Sequence, residues 1–215
     1  MSAVQKTESP LPIVVLVSGG GSNLQAIIDQ IAEGTLNARI CAVISNKADA
    51  YGIERARKAN IPTELIDHSQ YDSRETFDAV LTTSIEKYQP KLVVLAGFMR
   101  ILSDKFVNHF YGKMINIHPS LLPKYRGLHT HKRALEAGDK EHGLSIHFVS
   151  TKLDGGPIIL QKSVPVYPDD SEDSLAQRVL VQEHLAYPEV IQWFAEKHLQ
   201  LVNDQVIINN NPVLL

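Results

Sequence analysis

The 215-residue sequence has only one cysteine, Cys41, so it can form neither an intrachain disulfide nor a thiolate metal cluster. So few cysteines are typical of a reducing compartment. No apolar run approaches the length of a membrane span, and residues 1–9 lack the apolar core of a signal peptide. We therefore predict a cytoplasmic protein that does not span a membrane and has a flexible tail over residues 1–11.

Excess charge of one sign is also missing. The formal net charge is −3, and the lysines and arginines are scattered rather than gathered in a basic stripe. Small anionic ligands fit this distribution better than a nucleic acid does. His129 and His131 have a spacing that can bind metal, but acidic residues and cysteines are missing at ligand spacing, so no metal site is predicted. The sequence leaves open whether the protein is a monomer or a homodimer.

Apolar runs alternate with amphipathic segments along the chain, a pattern typical of α/β folds. We predict a single domain with a Rossmann-like, mostly parallel sheet flanked by helices, and a small C-terminal hairpin that turns at Asn203 and Asp204. The predicted strands of the main sheet are residues 12–18, 39–45, 63–66, 91–96, 113–117, 143–149 and 158–166.

Two of the helices carry clear start signals. One should begin after Asp72 or Ser73, and the other at Ser171. Pro188 is expected to kink the second helix, or to begin a further helix that ends near Lys197. The side chains predicted to face the core are Phe77, Val80, Leu81 and Ile85 in the first helix, and Leu175, Val179, Val181 and Leu185 in the second.

Three consecutive glycines, residues 19–21, follow the first strand and precede Ser22 and Asn23. A strand, a glycine turn and a helix N-terminus direct backbone N–H groups at an anion. The spacing is not that of a dinucleotide fingerprint, because position 24 is leucine, and the Gly-Lys-Ser/Thr ending of a Walker loop is absent. The loop is best suited to a lone phosphate monoester. A purely structural turn is the alternative.

The segment KMINIHPSLLPKYRG, residues 113–127, brings an amide and an imidazole to the end of a buried strand. Asn116 and His118 are two residues apart, so their side chains project to the same face. Pro119 prevents the strand from continuing. Because ligands of α/β proteins bind beyond the strand ends, we expect functional side chains here rather than a turn residue and a surface histidine.

Two further segments suit a role beside this strand. Asp154, in the loop before Gly155 and Gly156, can be carried into a site by flexible backbone, although in a turn of this composition an ordinary turn aspartate is the usual interpretation. The segment from Met99 to Leu102 places apolar side chains around Arg100, which fits either a pocket for a flat heteroaromatic ring or plain core packing.

NIHPSLLP, followed downstream by LDGGPII, resembles the signature of the formyltransferases that use 10-formyltetrahydrofolate, and the likeness extends from Ile13 to about Phe194. The resemblance implies the formyltransferase fold over residues 12–215. The phosphate- and nucleotide-binding half would be residues 12–111, and the folate-binding and catalytic half residues 112–215. It also implies that the folate is a co-substrate and that no cofactor is tightly bound. The member of this group that acts on a small molecule formylates phosphoribosylglycinamide in purine biosynthesis, and we expect that reaction here.

The resemblance assigns roles to particular residues. The catalytic set would be Asn116, His118 and Asp154. The acceptor nucleotide would contact Gly21, Ser22, Asn23 and, through its ribose hydroxyls, Glu183. The folate would contact Arg74, Met99, Arg100, Ile101, Leu102 and Asn116. Without the resemblance, Arg74 and Glu183 would be interpreted as solvated surface charges.

Formyl transfer to an amine passes through an oxyanion, which fixed hydrogen-bond donors stabilise. Asn116 would supply a neutral donor, and His118 a charged one if Asp154 lies close enough to favour the imidazolium.

Three alternatives differ in kind. A formyltransferase acting on tRNA would be expected to have a further C-terminal domain, and a formyltetrahydrofolate hydrolase a further N-terminal domain. A non-catalytic nucleotide-binding module would leave the polar cluster without a role.

Overall fold

Seven strands form the main sheet of the computed structural model, which describes residues 9–213. They are β1 (Leu11–Val17), β2 (Ala38–Ser45), β3 (Thr63–Leu65), β4 (Leu92–Leu95), β5 (Met114–His118), β6 (Glu141–Phe148) and β7 (Ile158–Pro165). Their order is β3-β2-β1-β4-β5-β6-β7. The first five strands run parallel, whereas β6 and β7 are antiparallel to their neighbours. The predicted α/β class and mostly parallel sheet are confirmed.

Within residues 9–213, six helices connect or cover these strands. They are α1 (Ser22–Ala32), α2 (Tyr51–Lys58), α3 (Arg74–Glu86), α4 (Asp104–His109), α5 (Thr130–Glu136) and α6 (Glu172–Ala195). A short 3₁₀ turn covers His68–Gln70. Ser73 and Ser171 each accept a hydrogen bond from the backbone N–H three residues later, as N-caps do, so both predicted helix starts are confirmed. None of the described helices combines the length and apolar character that a bilayer crossing requires.

Both faces of the sheet are buried, which explains the continuous apolar runs of the parallel strands. In β1, Ile13, Val15 and Val17 pack on one face with side chains of α1, α2 and α6. Val14 and Leu16 point to the opposite face, where α3 and α4 cover the sheet. The strand ends are therefore the part of the sheet that can open to a ligand.

The C-terminal hairpin is present and pairs β8 (Leu199–Val202) with β9 (Gln205–Ile208) around a turn at Asn203 and Asp204, both in the left-handed region. A two-residue strand, β10 (Asn211–Pro212), extends it. Of the predicted N-terminal tail, residues 1–8 lie outside the described part of the chain. Leu11, which the prediction placed in that tail, belongs to β1.

Several predictions about helix faces were wrong. Val80 of α3 and Val181 and Leu185 of α6 are exposed rather than in the core. On α6 the buried face instead includes the charged Glu183, which an apolar pattern cannot reveal. Pro188 neither ends nor divides α6, because its ring is buried where the helix packs on the sheet, and such packing overrides helix propensity.

Candidate active site

Asn116 and His118 lie at the end of β5, the central strand of the site. Because β4 pairs with it in parallel and β6 in antiparallel register, the end of β5 is held from both sides. Asn116 is partly accessible, and His118 is buried, with 6% of its surface exposed. The strand therefore presents the amide at the surface of a cleft and the imidazole beneath it, as the spacing of two predicts.

Asp154 reaches the same place from the loop between β6 and β7. Its Oδ2 accepts the backbone N–H of Gly127 at 2.9 Å and lies 3.5 Å from Nδ1 of His118. A Cβ at position 156 would lie 1.9 Å from the carbonyl oxygen of Phe148, so the glycine there lets the loop pass close to β6. The structure thus brings the three predicted catalytic residues together.

The second nitrogen of His118 also has a partner. Nε2 lies 2.9 Å from the carbonyl oxygen of Tyr125, in the loop of residues 119–127, which we call the proline loop. A carbonyl oxygen can only accept, so Nε2 carries a proton. Asp139 fixes this loop, because its carboxylate accepts hydrogen bonds from Lys124 Nζ and from the Tyr125 hydroxyl.

His147, which sequence reasoning passed over, belongs to the same cluster. It lies opposite Asn116 in the β5–β6 pairing, with its Nε2 3.3 Å from Asn116 Nδ2 and 3.9 Å from Asp154 Oδ1. A histidine inside a mostly apolar predicted strand was the signal that could have found it. Burial lowers the pKa of His147, so its ring is neutral at neutral pH.

A pocket of about 110 Å³ opens beside this cluster. Arg100, Ile101 and Leu102 line it, and the Arg100 guanidinium lies 4.7 Å from the ring centre of Phe77. The other lining residues are Leu95, Phe98, Val107, Asn116, His147, Val149, Ser150, Thr151, Lys152, Leu153 and Asp154. Of all the lining residues, half are apolar and half are polar, so the pocket can bury part of a small molecule while polar groups fix its orientation.

Two predicted folate contacts lie outside this lining. Met99 is 65% exposed, and Arg74 is exposed in the first turn of α3. The backbone N–H of Met99 donates to Ser18 Oγ at 2.7 Å, and Ser18 in turn donates to Asn46 Oδ1. These two hydrogen bonds fix the start of the 99–102 segment against the ends of β1 and β2.

The glycine turn forms a second polar centre along the same edge. Gly21 adopts a left-handed φ of 68°, and a Cβ there would lie 2.7 Å from the Cα of Gly52, so only glycine fits. Asn23 Nδ2 donates to Glu183 Oε2 at 2.7 Å, although 160 residues separate the two. Burial raises the pKa of Glu183. Helix α1 begins at Ser22, and none of the described side chains forms a capping hydrogen bond at its N-terminus.

His142 and His131 form a further pair behind the proline loop, with His142 Nε2 3.1 Å from His131 Nδ1. Burial and, to a smaller extent, the neighbouring His131 lower the pKa of His142 to about 4, while Asp139 partly opposes the shift. Within the part of the chain that the structure describes, no group of three or more histidine, cysteine or acidic side chains is arranged to hold a metal ion.

The pKa of His142 predicts a loss of stability in acid. Between the ordinary pKa of 6.5 and the folded value of about 4, the unfolded chain binds more protons, so the free energy of unfolding should fall as the pH falls through this range. Urea unfolding between about pH 7 and pH 4.5 measures this slope. His142→Gln should flatten it, whereas His198→Gln, on the exposed hairpin side, should leave it unchanged. An identical slope in His142→Gln would contradict the prediction.

The fold and the position of the site show that the protein is a Rossmann-like α/β enzyme whose cleft lies at the carboxyl ends of β1, β4 and β5. Sequence comparison then gives the family. A sequence model of the formyl transferase family matches residues 11–191, and the chain belongs to that family.

Individual relatives agree with this assignment. Phosphoribosylglycinamide formyltransferase of Escherichia coli is 59% identical over 189 residues, which cover 88% of this chain and 89% of that protein. The structure of the phosphoribosylglycinamide formyltransferase of Coxiella burnetii superimposes with a TM-score of 0.93 at 54% identity and covers 95% of this chain and 96% of that one. Glycinamide ribonucleotide transformylase 1 of Symbiobacterium toebii gives a TM-score of 0.91 at 43% identity, with 96% and 98% covered.

Proposed function

We propose that this protein transfers the formyl group of 10-formyltetrahydrofolate to the amine of 5′-phosphoribosylglycinamide, a step of purine biosynthesis. The products are formylglycinamide ribonucleotide and tetrahydrofolate. The observation that carries the proposal is that Asp154 lies beside both His118 and His147, that His147 contacts Asn116, and that Asn116 and Asp154 line a pocket on the same sheet edge as the glycine turn. The names of the similar proteins support this choice of acceptor.

The two ends of this sheet edge suit two ligands. The glycine turn, with Gly21, Ser22 and Asn23, would offer backbone N–H groups to the acceptor phosphate, and Glu183, which accepts a hydrogen bond from Asn23, would bind the ribose hydroxyls. The folate would occupy the pocket lined by residues 100–102, with Met99 and Arg74 contacting its outer part. This assignment keeps the proposed division into a nucleotide-binding half and a folate-binding and catalytic half, except that Glu183, Arg74 and residues 99–102 each serve the other half's ligand.

The chemistry follows from these positions. The acceptor amine attacks the formyl carbon and loses a proton, and the formyl oxygen becomes an oxyanion. Asn116 donates an N–H to that oxygen. His118 donates its Nε2–H, which in this structure is bound to the Tyr125 carbonyl, while Asp154 balances the positive charge of the ring. Collapse of the intermediate expels N10 of the folate, which takes up a proton.

No covalent enzyme intermediate is required, since the amine is itself the nucleophile. We propose further that the folate is exchanged at each turnover rather than tightly bound, and that the protein acts in the cytoplasm as a monomer or a homodimer.

The direct test supplies 10-formyltetrahydrofolate with and without phosphoribosylglycinamide and measures tetrahydrofolate and formylated product. Holding the amine against the formyl carbon can contribute about 7–11 kcal/mol to lowering the barrier, so turnover without the amine should be very slow. Turnover by water at a rate comparable to transfer would favour a hydrolase instead. An amine lacking the phosphate should be a poor acceptor.

Replacing Gly21 with valine tests the acceptor end of the cleft. The new side chain meets Gly52 and cannot adopt the left-handed backbone, so the N–H groups of the turn should move away from the phosphate. We expect acceptor affinity to fall by roughly 10- to 100-fold, the equivalent of about one charged hydrogen bond, with little change for the folate. Calorimetry with each ligand measures both.

Gly34→Val is a matched control, because Gly34 also has a left-handed φ but has open space around it. Equal losses of affinity for the acceptor and the folate in Gly21→Val would contradict the assignment of the glycine turn to the phosphate.

A further inference from the structure

His147 is the residue of the cluster that the proposed chemistry leaves unused. It lies in β6 directly opposite Asn116 and is 2% exposed. Its Nδ1 lies 2.8 Å from the carbonyl oxygen of Phe148, and its Nε2 lies 3.3 Å from Asn116 Nδ2. Both ring nitrogens therefore have a defined partner, and together these partners determine the state of the ring.

The carbonyl of Phe148 can only accept a hydrogen bond, so Nδ1 must carry the proton. Burial lowers the pKa of His147, the hydrogen bond to Phe148 and the charge of Asp154 oppose this shift, and the nearby His118 and Arg126 add to it. The ring is consequently neutral at neutral pH. Its Nε2 then has a lone pair and no proton, which makes it an acceptor.

An acceptor at Nε2 imposes an orientation on the amide opposite. The Nδ2–H of Asn116 is attracted to the lone pair, whereas Oδ1 in the same place would be repelled by it. We propose that His147 is a positioning residue that selects the orientation in which Asn116 offers an N–H, rather than its oxygen, to the reacting formyl oxygen. This inference rests on the proposed function, because it assigns the amide its task in formyl transfer.

The orientation matters because an amide is a donor on one side and an acceptor on the other. Of the two N–H groups on Nδ2, one binds His147 and the second is left for the oxyanion. If the amide turned by half a rotation, Oδ1 would take the place of Nδ2 and repel the negative charge that forms there. The effect appears in the transition state, so kcat should respond more than KM.

Two substitutions test the acceptor directly. His147→Phe keeps a ring of similar size but has no lone pair, and His147→Gln can place an amide oxygen near the former Nε2. We expect His147→Phe to lower kcat by roughly 10- to 100-fold, below the loss for removing an oxyanion donor outright, with KM for both substrates nearly unchanged. His147→Gln should recover most of that loss.

A second background separates positioning from a structural role. In Asn116→Ala the amide is absent, so a residue that acts through it has nothing left to orient. Adding His147→Phe to Asn116→Ala should then lower kcat only slightly further. If His147 were merely structural, His147→Phe would lower kcat by the same factor in the wild type and in Asn116→Ala. Equal factors, or a kcat for His147→Phe within about threefold of wild type, would overturn the proposal.

The tautomer can be measured in the wild-type protein without substrate, which keeps the proposal testable even if His147→Phe does not fold. Nitrogen-15 NMR of the histidine side chains should show Nδ1 of His147 protonated and Nε2 unprotonated at neutral pH. A proton on Nε2 would overturn the proposal. Failure of the proposed function would appear differently, as a wild-type protein with this tautomer that does not transfer formyl groups to the acceptor.

Discussion

Replacing Asp154 with asparagine is expected to lower kcat at neutral pH by about 10² to 10⁴, the range typical of a positioned acid or base. In the structure, Oδ2 of Asp154 lies 3.5 Å from His118 Nδ1 and accepts the Gly127 N–H. Asparagine can keep the hydrogen bond to Gly127 but not the negative charge. In the proposed mechanism, the imidazolium of His118 would then lose its counter-charge where the oxyanion needs a charged donor.

The loss should appear in kcat far more than in substrate affinity, because the charge matters most once the oxyanion forms. Steady-state kinetics with both substrates, together with calorimetric affinities, separate the two effects. Asp49→Asn, which removes an exposed carboxylate, is the control for the change in net charge. A kcat for Asp154→Asn close to that of the control would mean that Asp154 is not the partner of His118.

Replacing Asn116 with alanine should lower kcat by about 10² to 10³, the cost typical of losing one oxyanion-hole donor. Asn116 lies at the end of β5 and lines the pocket, while His147 and the neighbouring strands hold it from behind. Of the three predicted catalytic residues, Asn116 is the one that offers an uncharged hydrogen-bond donor. A nearby residue would therefore have to move to replace it.

Asn108→Ala, on the exposed side of α4, is the matched control for loss of an asparagine side chain. Thermal unfolding of both variants shows whether the fold is retained. If Asn116→Ala instead raises KM for the folate with kcat unchanged, the amide binds substrate and transition state equally, and its role as an oxyanion donor fails.

Local patterns predicted much of the fold and part of the site. The strand, glycine turn and helix around Gly21 and the N-cap at Ser73 follow from short-range sterics and hydrogen bonding, which neighbouring residues alone determine. The shared face of Asn116 and His118 follows from the period of two in a strand. These features were predictable because their causes span only a few residues.

The exposed positions on α6 show where such patterns stop. Val181 and Leu185 are as apolar as Val179, but the buried face of the helix passes through Glu183 instead. Glu183 faces inward because Asn23, far away in the sequence, supplies a hydrogen bond there. The spacing of apolar residues along one helix cannot predict that Glu183 is buried, because its hydrogen-bond partner lies on another helix.

By itself, the sequence determined the α/β class, the glycine turn and the pairing of an amide with an imidazole at the end of β5, because side-chain periodicity and backbone sterics act locally. The resemblance of the sequence to the formyltransferases led to the prediction that Asp154 acts together with Asn116 and His118. Only the tertiary structure decided that Asp154 reaches His118, that His147 faces Asn116, and that Glu183 meets Asn23. Each of these contacts depends on strand order and helix packing, and those are set by burying both faces of the sheet at once.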